Sequence, residues 1–318
     1  MGPSQLRWQY GVMRVDAGRD GRLAALLVRT LSVAMVVAII PSPASAQNAA
    51  PSRSREEVVV NGRSLPEEAQ VRALARAISP RTGWDEPLAR FDDPVCFGTG
   101  GLARPLLEAI GARLAEDAAE ARVPLAGNGC EVNVLLLFVE DGPAELRRLL
   151  KRRPGMFGAL RPGDVRAIID EPGPVHVVTT SEIRSSDGDR LVSSPGDVPT
   201  LKVSIASRIV LPIRRDLMSS LVLIDRRAAE GLSVQQIADY VAMRALAMIR
   251  PQGASGGSTI LTLFDSSGAV APLGLTPFDR GYLKALYQGS GNQRGTTKVG
   301  MIARSIIKDG RGGKPPPR

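Results

Sequence analysis

One stretch, residues Gly231–Pro251, constrains the fold more than any other part of the chain. Ser233 followed three residues later by Gln236 forms a capping box at a helix start, and Pro251 predicts the end of the same helix. Apolar side chains recur at helical spacing between them: Val234, Ile237, Ala238, Val241, Ala242, Ala245, Leu246 and Ile249. This wide stripe predicts a helix with a broad buried side, preceded by a strand at Ser220–Asp225. The opposite side of the helix carries Gln236, Tyr240, Met243, Arg244 and Ala247.

The N-terminal segment has the pattern of a secretory signal peptide. Arg22 and Arg29 flank the entry to an apolar run over residues 31–40, which is followed by an Ala-Ser-Ala sequence ending at Ala46. A transmembrane anchor is the weaker alternative, because a spanning helix needs about 20 apolar residues. We therefore expect cleavage after Ala46, no transmembrane span in the mature chain, and a periplasmic or secreted protein. Counted from Met1 the leader is long, so Met13 is an alternative start.

Cysteine usage agrees with export. Cys96 and Cys130 are the only two cysteines, and both follow the predicted cleavage site. An even number of cysteines in an exported chain favours one disulfide, with two buried thiols as the alternative.

Positive charge is concentrated near the C-terminus. The net charge of +9 falls to +6 when residues 1–46, with five Arg and two Asp, are removed. Six basic residues lie within the last 21 positions: Lys298, Arg304, Lys308, Arg311, Lys314 and Arg318. We expect residues 290–318 to form a solvated, basic, Gly/Pro-rich tail, with contact to anionic lipid or another polyanion as the alternative. Only 4% of residues are aromatic, so no pattern of interleaved aromatic and basic residues predicts nucleic-acid binding.

Between these segments the pattern predicts one α+β domain over residues 57–289, after a flexible segment at residues 47–56. It has a mixed sheet, a buried central helix and a C-terminal helix that begins at Thr276, with Pro277 at its first position and Asp279 closing the cap. Further helices are predicted at residues 66–78, 102–121, 144–151 and 163–170, and further strands at residues 57–60, 132–139, 175–180 and 203–211.

Residues 220–289 resemble the C-terminal half of a matrixin-type zinc metallopeptidase. That family has an active-site helix with His-Glu-x-x-His, a tight turn with Met beneath the metal, and a final helix ending in Leu-Tyr. Here the turn corresponds to Ser258–Leu261, with Leu261 in place of Met, and the closing helix matches at Leu275, Asp279, Leu286 and Tyr287. The resemblance implies a single zincin-like domain. The whole chain is also similar to uncharacterised exported proteins of alphaproteobacteria, a likeness that implies no activity.

The zinc ligands of that family are missing. A zincin helix needs two His four residues apart and a Glu beside the first one. The best alignment places Tyr240 and Arg244 at the two His positions and Val241 at the Glu position; an alignment shifted by one residue uses Asp239 and Met243. Because His176 is the only histidine in the chain, we expect no zinc site, no metal cofactor and no peptidase activity.

Three functional hypotheses remain open. In the first, a cleft lined by Gln236, Tyr240 and Arg244 binds a peptide or an anionic group, such as a carboxylate or an anionic envelope component. Its alternative is that Arg244 pairs with an internal acid and Tyr240 packs in the core. In the second, the protein is an envelope hydrolase of another class that uses carboxylates, or His176 beside a Ser and a carboxylate. In the third, it is a structural envelope protein whose basic tail binds surfaces.

Overall fold

The computed structural model describes residues 67–312, except for residues 84, 159, 193–197, 205–206, 208, 255–257 and 266–269. The predicted signal peptide (residues 1–46), the flexible segment (47–56) and the strand at 57–60 lie outside the described residues. All described residues belong to one compact unit.

Within these residues, helices and strands follow one another in this order: α1 (Glu68–Ile78), β1 (Phe97–Gly100), α2 (Arg104–Glu120), β2 (Val134–Val139), α3 (Gly142–Arg152), α4 (Pro162–Ile169), β3 (Val175–Ser185), β4 (Ile213–Asp225), α5 (Val234–Ala245), α6 (Pro277–Tyr287) and α7 (Gly295–Gly312).

The strands form one mixed sheet in the order β1-β2-β4-β3. Strands β1, β2 and β4 are parallel, with Val134 opposite Ser220, whereas β3 runs antiparallel to β4, with His176 opposite Leu223. Helices pack against this sheet, so the predicted α+β class is confirmed.

Strand β2 explains why the sheet is covered on both faces. All six of its side chains are apolar, and they alternate between two hydrophobic clusters. Val134, Leu136 and Phe138 join the larger cluster, which contains side chains of α1, α2, α5, α6 and α7. Leu135, Leu137 and Val139 join the smaller cluster, which contains side chains of α3 and α4. The strand predicted at residues 132–139 is thus confirmed for residues 134–139, and it is apolar on both faces.

Helix α5 begins as predicted but ends earlier. Ser233 and Gln236 form the capping box, with Ser233 Oγ accepting from the Gln236 amide at 3.1 Å. The predicted end at Pro251 is wrong, because α5 ends at Ala245. The next residues bond elsewhere: the Leu246 carbonyl accepts from Tyr287 Oη at 2.7 Å, and the Arg250 amide donates to the Ile78 carbonyl at 2.8 Å. Contacts with α6 and α1 therefore draw the chain out of the helix before the proline.

One predicted strand is wrong and one observed strand was missed. No strand forms in the described part of residues 203–211; β4 begins at Ile213, and the Leu211 amide donates to the Asn292 carbonyl at 2.8 Å. Strand β1 was not predicted. Two of its four residues, Phe-Gly-Thr-Gly, are glycines, which are depleted in strands, and pairing with β2 makes it a strand.

The expectation of a solvated tail over residues 290–318 is wrong for residues 295–312, which form α7. Val299, Ile302, Ala303, Ile306 and Ile307 recur at helical spacing along α7 and are buried against α1 and α6. Close packing of α6 on α7 depends on Gly281, because a Cβ atom there would lie 2.7 Å from Ile306 Cγ1. The domain therefore continues beyond residue 289.

The predicted disulfide between Cys96 and Cys130 is confirmed. Cys96 immediately precedes β1 and Cys130 lies shortly before β2, so the bond joins the chain on either side of α2. None of the helices in residues 67–312 that the structure describes is both long and apolar enough to cross a bilayer.

Candidate functional site

The side of α5 that carries the predicted site holds a polar network. Tyr240 and Arg244 lie one turn apart, and Arg244 Nη1 donates to Tyr240 Oη at 2.9 Å. Arg244 Nη2 donates to Glu171 Oε1 at 3.1 Å, and Gln252 Nε2 donates to the same oxygen at 3.0 Å. Because Glu171 lies in the turn between α4 and β3, this network ties α5 to the beginning of an edge strand.

The network is closed rather than open. Tyr240 is 3% exposed and Arg244 is 5% exposed, while the exposed side chain of Gln252 forms its outer limit. The ring of Phe264 meets the Tyr240 ring edge to face, with centroids 4.8 Å apart. Burial raises the pKa of the Tyr240 hydroxyl, so the phenol stays protonated. This geometry matches the alternative to the first hypothesis, in which Arg244 pairs with an internal acid and Tyr240 packs in the core.

Gln236 is the third predicted site residue, and both ends of its amide are engaged. Its Oε1 accepts from the Ser233 amide at 3.1 Å within the capping box, and its Nε2 donates to the Pro272 carbonyl at 3.0 Å. The structure therefore brings Tyr240 and Arg244 together, while Gln236, one turn earlier, fixes the start of α5 to the segment before α6. Ligand binding by the three residues stays a prediction.

The turn and closing helix that carry the resemblance are held to each other by Asp279. Its carboxylate accepts from Thr259 Oγ1 at 2.6 Å, from the Ile260 amide at 2.7 Å and from the Thr276 amide at 2.9 Å. Complete burial raises the pKa of Asp279 to about 6, against these bonds, which lower it. Leu261, which the resemblance aligns with the family's Met, is buried in the larger cluster. The segment is thus a hydrogen-bonded support for α5.

The alternative ligand position, Asp239, is engaged on the other side of α5. Its carboxylate is fully buried and accepts from Arg113 Nε at 2.8 Å. Asp117, which is 2% exposed, lies beside the same arginine, with Arg113 Nη2 2.9 Å from its Oδ1. Burial and then the charge of Asp239 raise the pKa of Asp117 to about 8. Two buried carboxyl groups thus share one arginine, and Asp117 holds a proton at neutral pH.

His176 does not form the constellation that the hydrolase hypothesis needs. The ring is 1% exposed, and its Nδ1 lies 3.0 Å from the Ile168 carbonyl. In the described part of the chain Nε2 has no hydrogen-bond partner, and no serine hydroxyl bonds to the ring. Two small surface depressions, one beside Lys298 and the other beside Asp117, are lined by other residues. Among the described residues, no group of three or more His, Cys, Asp or Glu side chains could hold a metal ion.

Sequence reasoning missed Glu171, Gln252 and Phe264, which complete the network around Arg244. Glu171 is 73 positions away from Arg244. Its own neighbours, an aspartate before it and Pro-Gly after it, indicate only a turn. The available signal was Arg244 itself, since an arginine on a predicted buried helix requires an acid somewhere in the fold.

The chain matches no protein-family model, and searches of curated proteins and of solved structures likewise find no match.

Proposed function

We propose that this chain is an exported, non-catalytic protein with a zincin-like architecture, and that it binds an extended peptide along the outer edge of β3. The observation that carries the proposal is the 3.1 Å ion pair between Glu171 and Arg244, the residue that the resemblance aligns with a metal-binding histidine of zincins. An internal acid neutralises the arginine, and a protonated phenol fills the preceding turn.

The side chains at the aligned positions of α5 cannot support metal-dependent catalysis. A guanidinium stays charged and offers only donors, so Arg244 cannot ligate a metal. The phenol of Tyr240 is protonated and accepts from Arg244, and Val241 takes the position of the general base. These side chains stabilise the helix and offer neither a metal ligand nor a base for activating water.

The register of β3 leaves backbone groups available for an added strand. This strand forms one edge of the sheet, and the Asp225 amide donates to the Pro174 carbonyl, which makes residues 174 and 225 a hydrogen-bonded antiparallel pair. Alternation then turns the backbone groups of Val177 and Thr179, which are only partly buried, away from β4. In the described part of the chain, these groups have no backbone partner beyond β4. Such an edge is suited to an added strand. The bond from Arg244 to Glu171, which lies just before β3, holds the beginning of β3 against α5.

Metal analysis and peptide cleavage test the first half of the proposal. Protein purified after export should contain no stoichiometric zinc and should leave an unstructured substrate such as casein intact, also in buffer with added zinc. One tightly bound zinc ion per chain, with cleavage abolished by a chelator, would refute it.

A proline in β3 tests the second half. Peptides selected from a displayed random library should bind the wild type and lose binding to Thr179→Pro, because the outward N–H donor of residue 179 is removed while the ladder to β4 remains. Thr179→Val keeps this donor and serves as the matched control. Selected peptides that bind all three proteins equally, or a selection that yields none, would contradict the edge-strand site.

A further inference from the structure

The outer face of α3 is strongly basic. Arg147, Arg148, Lys151 and Arg152 follow the spacing i, i+1, i+4, i+5, which forms two adjacent columns on one side of a helix, and all four are exposed. Leu146, Leu149 and Leu150 lie on the other side and pack in the smaller hydrophobic cluster. The cluster therefore fixes the direction of the helix and holds the four cations toward solvent.

Positive charge continues past the end of α3. Arg153, Arg161 and Arg166 are also exposed, so residues 142–166 contain seven basic and two acidic residues, a net charge of +5. Between the two helices a short 3-10 helix, Pro154–Phe157, exposes Met156 and buries Phe157. Together these residues form a single surface, which we call the α3–α4 basic face.

Most cations of this face lack an acidic partner. Arg148 pairs with Glu145 at 2.6 Å and Arg161 pairs with Asp164 at 3.1 Å. The other five have no ion pair within the described residues: Arg147, Lys151, Arg152, Arg153 and Arg166. Of the nearby acids, Asp141 caps α3, Glu171 is engaged with Arg244, and Asp170 is exposed. The face is therefore left with an excess of positive charge that the fold itself does not compensate.

We propose that the α3–α4 basic face docks on a bilayer that presents anionic phospholipid headgroups. Unpaired Lys and Arg side chains held on one rigid face are attracted by such a surface, and an apolar side chain among them, Met156, fits the boundary between headgroups and acyl chains. Single-stranded nucleic acid fits less well, because its binding uses exposed aromatic rings and the one aromatic residue of 142–166, Phe157, is buried. This docking surface does not rest on the proposed peptide site.

The test compares two matched double substitutions in co-sedimentation with vesicles. Arg147→Gln with Lys151→Gln neutralises an exposed Arg and Lys four residues apart on α3. Arg304→Gln with Lys308→Gln makes the same change at the same spacing on the exposed side of α7. Vesicles contain phosphatidylcholine with phosphatidylglycerol, or phosphatidylcholine alone. The α3 variant should partition about thirtyfold less onto the anionic vesicles, while the α7 variant should stay within about twofold of the wild type.

Far-UV circular dichroism and the urea midpoint show whether each variant is folded. A second α3–α4 variant, Arg152→Gln with Arg166→Gln, repeats the test with other cations of the same face. Binding that weakens with salt, is absent on phosphatidylcholine alone and falls only in the α3–α4 variants supports the proposal. Equal losses in the α7 variant, undiminished binding to phosphatidylcholine, or tighter binding to double-stranded DNA than to anionic vesicles would overturn it.

Discussion

The buried Asp117 carboxyl group makes stability depend on pH in an unusual direction. Burial and the neighbouring Asp239 raise the pKa of Asp117 from 3.8 to about 8, so the folded protein binds a proton that the unfolded chain has released. Between these two values the unfolded state binds fewer protons, and stability therefore falls as pH rises. The proton belongs to the coupled Asp117–Asp239 pair, which titrates as a unit.

The magnitude follows from one proton. A single proton bound only by the folded state changes the free energy of unfolding by about 1.4 kcal/mol per pH unit. Between about pH 6.5 and about pH 7.5 this proton is the largest contribution to the pH dependence. Below this window stability also falls with rising pH because of Asp279, whose pKa is raised to about 6. Above it, Lys298 contributes, because burial lowers its pKa to about 8 and stability then rises with pH. We expect a loss of about 1 kcal/mol across the window.

Urea unfolding of the wild type and Asp117→Asn at both ends of the window measures this slope. Asparagine mimics the protonated carboxyl, so the variant should lose the slope and match or exceed the stability of the wild type at the higher pH. Glu108→Gln removes an exposed carboxylate from the same helix and should leave the slope unchanged. A wild type that becomes more stable with rising pH, or an Asp117→Asn variant that keeps the slope, would refute the assignment.

Three further changes test the network, the disulfide and a helix cap through the free energy of unfolding in urea. Replacing Cys96 and Cys130 by Ser should cost about 4 kcal/mol, because the bond joins residues 34 positions apart; a variant as stable as the oxidised protein would contradict this. Arg244→Met leaves the partly buried Glu171 without its cation and should cost about 3 kcal/mol, part of which a second change, Glu171→Gln, restores in a double-mutant cycle. Thr276→Ala should cost about 1 kcal/mol, whereas Thr276→Ser keeps the capping oxygen and most of the stability.

Helix starts were the features that sequence predicted best, because their chemistry is local. Ser233 with Gln236 and Thr276 with Asp279 each form a capping box within four residues, as expected. The end of α5 was not predictable in this way, because it depends on the distant hydroxyl of Tyr287 and the distant carbonyl of Ile78.

The sequence could predict only the part of the candidate site that lies on a single helix, α5. Tyr240 and Arg244 share a side of α5 as their spacing requires, yet Glu171, which decides whether that side is open or closed, comes from another part of the chain.

Helix α7 was missed for a different reason. Its basic residues indicated a solvated tail, while the periodic apolar residues between them, such as Ile302 and Ile306, indicated burial and were given too little weight.

The contact between α1 and α7 determines when the larger hydrophobic cluster can be completed during folding. The larger hydrophobic cluster includes Ile78 of α1 and Ile306 of α7, so a nascent chain must extend more than 220 residues beyond α1 before that helix meets its partner. Contacts of such sequence separation form slowly, since a long loop must close before they stabilise anything. Until α7 has been synthesised, the parts of α1 and α6 that it covers stay exposed, and the larger hydrophobic cluster is incomplete.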